Sequence, residues 1–300
     1  VKKHLAPAGL YLSFFLAAFL LCLYLTFDAS VLASFLQDGA RQGRIRLAYN
    51  QASLHGLLGL ELTGVELSPL AAPEAQPFAI RKLTLSPNLS SLPGLVSDLR
   101  QKKNPRLAFD FSLWLSDKDQ RNVQGRVKVS PPALLVGLTV ANVALDKLPL
   151  QAYSPGFPPV AGNMNARLLL DLKDLNRTDT WDGNLQAEIF QGRVDDFQVA
   201  GTQVPGFQIG EGNLQIEIKA GKGDIKSFKL QGGEFPINLQ GTIGLAPGPF
   251  RLGQATVELN GTVQMSDAYK QKMPLLAALI PANNQYRYQG ALNGIIPMLK

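Results

Sequence analysis

From Asn213 to Lys219 polar and apolar residues alternate without a break. Leu214, Ile216 and Ile218 leave the chain on one side, and Asn213, Gln215, Glu217 and Lys219 on the other. Successive side chains of a strand point to opposite faces, so this segment is a strand with one dry face and one wet face. The pattern continues downstream. Ile225, Phe228 and Leu230 begin a second apolar series, Ile237, Leu239, Ile243 and Leu245 a third, and Val257, Leu259 and Val263 a fourth. Gly221, Gly223 and Gly232-Gly233 fall between them as turn signals, which predicts an antiparallel meander.

The same grammar runs through the rest of the chain. Arg44–Tyr49 and Leu60–Leu67 alternate, with Gly56 and Gly59 near the turn between them, and Phe78–Leu85 reads as a further strand. Leu107, Phe109, Phe111, Leu113 and Leu115 alternate over nine residues, and Val123, Val127 and Val129 follow as the other arm of a hairpin. Gly162-Asn, Gly183-Asn and Gly212-Asn each precede an alternating run and read as turns feeding strands. They are either a true repeated hairpin unit or reuse of the same turn chemistry. Asp195-Asp196 reads as a hairpin turn, and Pro149–Pro159 as a loop. With 28 glycines and 20 prolines in 300 residues, many short elements are favoured over long helices. Helical spacing is confined to short stretches: Ser30–Leu36, capped by Ser30 and ended by Gly39 and Gly43; Leu92–Leu99; and Leu275–Ile280 between two prolines. The apolar segment Leu134–Leu148 is too short to cross a membrane.

The N-terminus is of another kind. Lys2, Lys3 and His4 precede Leu5–Phe27, a run without a charge. A helix over 8–27 rises about 30 Å, the depth of a hydrocarbon core. The run predicts a transmembrane anchor built on Leu10, Phe14, Phe15, Leu16, Phe19, Leu20, Leu23 and Leu25. Val31-Leu-Ala33 also fits the small-residue cleavage site of a signal peptide, but the run exceeds an ordinary signal core, which favours the anchor. Lys2 and Lys3 before it and Asp28 after it favour a cytoplasmic N-terminus, while Arg41, Arg44 and Arg46 pull the other way. The expected organisation is a cytoplasmic tip at 1–7, a span at 8–27, a short helix and linker at 28–43, and a β-rich body at 44–300.

The net charge of +6 arises from scattered lysines and arginines. It makes no basic helix and no aromatic-basic module, which argues against nucleic acid and for solvated faces. Charged residues are 17% of the chain and mean hydropathy is +0.03, consistent with contact to lipid or a large apolar interior. The single cysteine, Cys22, lies in the apolar run, so the body has no disulfide and no thiolate metal site. His4 and His55 are far apart, and no carboxylates have ligand spacing. No nucleophile elbow, phosphate loop or dinucleotide fingerprint is present. These readings predict a non-enzyme with no cofactor.

The segment from Gly212 to Ala246, with its Gly-led strand, Lys/Gly turn, Gly-Gly-acidic turn and Gly-Thr-Ile-Gly-Leu strand, resembles the general secretion pathway protein N family of bacterial type II secretion. Tyr286–Gly294 is similar to the closing strand of that family. The resemblance covers about the last third of the chain. The entry from the anchor through Gly59-Leu-Glu-Leu-Thr-Gly-Val-Glu-Leu67 is similar to the start of AsmA-type proteins, which are anchored periplasmic β proteins with an apolar groove. These resemblances imply a mainly β fold: a transmembrane helix, then an extended, curved antiparallel sheet with a few short helices. They imply a single-pass inner-membrane protein with its body in the periplasm, acting as an accessory of type II secretion through other components of that machinery. The alternative is an AsmA-like module that binds or transfers phospholipid. Under either reading Leu107, Phe109, Phe111, Leu113, Leu214, Ile216 and Ile218 are the candidate apolar groove or core. A closed sandwich and an open groove both satisfy the alternation.

Overall fold

The computed structural model describes residues 28–291 apart from 43, 57–58, 71–76, 92–93, 95–96, 99, 102–105, 116–119, 149–157, 200–201, 249–253 and 282. The apolar run with its anchor residues, and most of the expected helix at Leu92–Leu99, lie outside the described residues. Among the described residues no helix is long and apolar enough to cross a membrane.

The protein is mainly β, and fourteen of its strands form one antiparallel sheet. Helix α1 (Ala29–Gln42) leads into β1 (Ile45–Ala48), β2 (Gln51–His55), β3 (Gly59–Pro69) and β4 (Phe78–Pro87). Then come β5 (Leu107–Trp114), β6 (Val123–Ser130), β7 (Ala133–Ala144), β8 (Val160–Leu172) and β9 (Trp181–Val194). A separate small hairpin, β10 (Phe197–Val199) and β11 (Thr202–Val204), precedes β12 (Phe207–Lys219) and β13 (Lys222–Gly232). The chain ends with β14 (Ile237–Gly244), β15 (Thr256–Val263), α2 (Asp267–Lys272), α3 (Pro274–Leu279) and β16 (Gln285–Ala291). From β3 onward each strand of the sheet bonds to the next one in sequence, with only the β10–β11 hairpin looped out. β1 and β2 share one side of β3 and form a single edge interrupted at Tyr49-Asn50.

Local chemistry explains the turns. Ala220 (φ 48°) and Gly221 (φ 73°) join β12 to β13 in the two-residue form that needs positive φ at both positions. Pro131-Pro132 joins β6 to β7 through a cis bond. The three Gly-Asn pairs, expected as turns, lie inside β8, β9 and β12 instead. The reason is visible at Gly212, where a Cβ would meet Leu230 Cδ2 at 3.0 Å and Ile189 Cβ at 3.3 Å. The glycine makes room for neighbouring side chains rather than bending the chain. Asp195-Asp196 is likewise no hairpin turn. It leads out of β9 into the β10–β11 hairpin, where Asp196 Oδ1 accepts the Gly206 amide at 2.6 Å.

Helix α1 also departs from expectation. Asp28, not Ser30, accepts the first amides, with Ser30 N donating to Asp28 Oδ1 at 2.8 Å. The helix passes through Gly39 to Gln42. Ala29 and Ala33 are buried against Leu60, Leu62, Val65 and Ile80, with Leu32 and Leu36 packed around them. At the other end of the sheet Ile225, Leu239, Val257 and Leu259 form a second buried cluster. Helix α3 matches the expected Leu275–Ile280 segment. Helix α2 was not legible; it is capped by Ser266, and its buried Tyr269 stacks edge-on against Phe207 and Phe235 while its hydroxyl donates to Pro205 O at 2.6 Å.

Candidate functional site

The register across the sheet sorts its side chains into two chemically distinct faces. Residues directly opposite each other in an antiparallel ladder share a face. Following the partners from β3 to β16 gives Leu60, Leu85, Phe111, Gly125, Leu138, Leu168, Leu185, Ile216, Ile225, Gly241, Leu259 and Tyr288 in one row. No charged or amide side chain interrupts it. The adjacent row runs Leu62, Leu83, Leu113, Val123, Val140, Ala166, Ala187, Leu214, Phe228 and Leu239. On the other side of the first row stand Phe109, Val127, Val136, Leu170, Gly183 and Ile218.

All seven residues expected in the groove or core therefore stand on one face. Phe111 and Ile216 belong to the first row, Leu113 and Leu214 to the second, and Phe109 and Ile218 to the third. Leu107 lies at the rim, opposite Val129. They do not form one cluster, because β6 to β9 separate the two groups.

Burial along this face is uneven. Under α1 it is sealed, and Leu62 is 0% exposed. Near the last strands it is sealed again around Ile225 and Leu239. Between these ends Phe109, Phe111, Leu138, Leu168, Leu170 and Leu185 are only half-buried. Among the described residues neither α1–α3 nor a second sheet packs extensively on β5–β9; the contacts of α1 fall on β1, β2 and β3, and only the one-turn helix Leu145–Lys147 lies against β8. The side chains there cover one another and leave the rest of their surface free. Large side chains lie over small ones: a Cβ on Gly125 would stand 2.5 Å from Phe111 Cζ and 2.6 Å from the Gly137 carbonyl oxygen. The tip of the Phe111 ring thus lies over Gly125 on β6.

The opposite face is mainly polar, although Leu135 and the exposed Leu169 also stand on it. Ser112, Gln124, Thr139, Arg167 and Gln186 form one row across β5–β9. Ion pairs cross the strands, with Arg126 Nε 2.5 Å from Asp110 Oδ1 and Lys173 Nζ 2.7 Å from Asp182 Oδ2. Hydrogen bonds donated to the carboxylates hold the Arg126 guanidinium and the Lys173 ammonium above their usual ranges. The Asp182 carboxyl is held below its usual range, first by Lys173 and then by the Ala220 amide. A shallow hollow of about 610 Å³ opens on this face, lined by Asp110, Ser112, Gln124, Arg126, Thr139 and Arg167 among others. Its charges are partly engaged, since Arg126 is paired with Asp110 and Arg121 lies 5.9 Å from the Trp114 ring centre. His55, expected as a solvated turn residue, ends β2 with Nδ1 3.3 Å from Glu61 Oε2, a carboxylate that also meets Lys82. Among the described residues no group of three or more His, Cys, Asp or Glu side chains is placed to hold a metal ion.

The chemistry of this arrangement is one of partition. An uninterrupted apolar strip with solvent-accessible flanks lowers its free energy by covering itself, at about 25 cal/mol per Å² of apolar surface removed from water. Compared with family models, with curated proteins and with solved structures, the chain matches none of them.

Proposed function

We propose that this chain is a non-enzymatic, membrane-anchored protein that shelters the acyl chains of phospholipid along the apolar face of its sheet. The observation that carries the reading is the continuous apolar row from Leu60 to Tyr288, sealed at its two ends and only half-buried over β5–β9. Contiguous apolar surface of this extent on a soluble body calls for an occupant. An acyl chain needs no hydrogen bonds from its host, and from Leu60 to Leu259 the side chains of the row offer none; the Tyr288 hydroxyl at its end donates to Ala291 O. The resemblance to AsmA-type proteins supports the same reading. So does the charge-free run Leu5–Phe27, read as a span of the inner membrane with the tip inside and the sheet in the periplasm.

The test is site-specific photocrosslinking in membranes of cells expressing the full chain. A photoreactive residue replacing Leu185 is expected to capture phospholipid, and one replacing the adjacent Gln186, on the polar face, is not. Equal capture, or none, at both positions refutes the proposal.

The second reading is an accessory of the type II secretion machinery. It is favoured by the resemblance over Gly212–Ala246 and Tyr286–Gly294, which falls on the strands leading to the sheet's last edge. β16 is the final strand of the path and, among the described residues, pairs with β15 on one side only. An unpaired edge is a ready site for strand addition by a partner protein. Crosslinks from Arg287 to another secretion component would support this reading, and crosslinks to lipid alone would count against it.

A further inference from the structure

We propose that the first two turns of α1 are seated in the headgroup layer of an anionic bilayer, holding the sealed end of the sheet against the membrane. The inference rests on the reading of Leu5–Phe27 as a span and adds a second, separate contact to it.

Helix α1 has two apolar faces. One, made by Ala29, Leu32, Ala33 and Leu36, is spent on the sheet. The other carries Val31, 47% exposed, and Phe35, 70% exposed. At 100° per residue Val31, Phe35, Asp38 and Gln42 fall in one outward stripe. The stripe is apolar for its first half and polar for its second. The apolar half is the half adjoining the charge-free run, which ends at Phe27, one residue before the Asp28 that caps the helix. Exposed Arg41, Arg44 and Arg46 follow within the same short stretch, and an anionic surface attracts them against the opposing Asp28 and Asp38.

The geometry limits how the helix sits. Along the membrane normal, α1 would carry Phe35 about 10 Å past Asp28. The headgroup layer is about 5–8 Å deep on each side. A helix inclined toward the surface keeps both Val31 and Phe35 within that layer and brings Asp38 and Gln42 into water. Aromatic and aliphatic side chains are favoured at that depth. Because the opposite face of α1 is locked onto β1–β3, the inclination of the helix fixes the inclination of the sheet.

The experiment uses the full chain reconstituted into vesicles of phosphatidylethanolamine and phosphatidylglycerol. An environment-sensitive fluorophore on the native Cys22 reports the span. In a Cys22→Ser background, Val31→Cys, Phe35→Cys and Asp38→Cys carry the same fluorophore. All three side chains point away from the sheet, so the fold tolerates them. The expected result is blue-shifted emission at 31 and 35, protection from aqueous iodide, and quenching by lipids spin-labelled near the headgroup, with position 38 open to iodide. If Cys22 is itself aqueous, the anchor reading fails. If Cys22 lies in lipid and positions 31 and 35 are aqueous, the seating of α1 is overturned. Protection without quenching by spin-labelled lipid means that protein covers the stripe, and equal protection at 38 means that its chemistry does not matter; either overturns the proposal.

Discussion

Leu62→Ala and Leu185→Ala remove the same atoms from the same apolar face, and the structure assigns them different costs. Leu62 is fully enclosed between α1 and β3–β4. Truncating it loses both the transfer free energy and the contacts around the cavity, about 3 kcal/mol. Leu185 stands between Leu168 and Ile216 on its neighbouring strands, with Gly183 and Ala187 beside it on β9, and is half-buried. Water already reaches it, and its loss costs about 1 kcal/mol. A sheet whose strands bond mainly to sequence neighbours opens locally, so hydrogen exchange of individual strands is the suitable assay. In lipid-free protein Leu62→Ala should speed exchange in β3 and β4 by about a hundredfold, and Leu185→Ala should speed it in β8 and β9 by about fivefold. Phospholipid added to the unmodified chain should then slow exchange in β8 and β9 more than in β3 and β4. If Leu185→Ala costs as much as Leu62→Ala, the middle of the face is a sealed core and the shelter for acyl chains does not exist.

Three further perturbations probe the frame that holds this face. Thr178 is fully buried, and its hydroxyl donates to Ala246 O at 2.6 Å; Thr178→Val keeps the shape, strands the carbonyl and should cost about 1–2 kcal/mol, read as a lower Tm and faster exchange at 245–248. Gly125→Val sets a side chain against Phe111 and the Gly137 carbonyl; overpacking of this kind costs about 1–3 kcal/mol, and a double-mutant cycle with Phe111→Ala should recover part of it. The Asp182 carboxyl sits below its usual range through Lys173 and the Ala220 amide. Its contribution is full above the unfolded value near about 3.9 and lost as pH falls through the lower folded value. The Tm of the unmodified chain should therefore fall more steeply below about pH 4 than that of Asp182→Asn, and parallel profiles would exclude the coupling.

Period-two alternation carried most of the fold. Leu107–Leu113, Asn213–Lys219 and Val257–Val263 are strands, and the apolar set of each lies on the common face, because alternation encodes face as well as element. What escaped was whatever depends on a neighbour across the ladder. Gly212 reads as a turn residue from its own surroundings, and only the register that sets Leu230 and Ile189 beside it reveals that it clears space. Helix α1 was legible as apolar, but its division into a sheet-facing half and an outward half depends on which alanines meet Leu60 and Leu62. The seven candidate groove residues are legible strand by strand; that they share one face with Leu138, Leu168 and Leu185 is a property of pairing. The polar hollow around Asp110, Arg126 and Arg167 gives no sequence signal, since its residues are brought together from five strands, β5 to β9.

The order of the strands has a consequence for size. With each strand from β3 to β15 joined mainly to its predecessor and successor, the sheet is built like a ladder to which rungs can be added. Twelve spacings along the path give a breadth of roughly 58 Å at about 4.8 Å per strand. Inserting one more hairpin between β8 and β9 would lengthen the apolar strip by about 10 Å while leaving both sealed ends as they are. The reach of the protein is thus a quantity that duplication or loss of a short segment can adjust in steps, without a new core having to be invented.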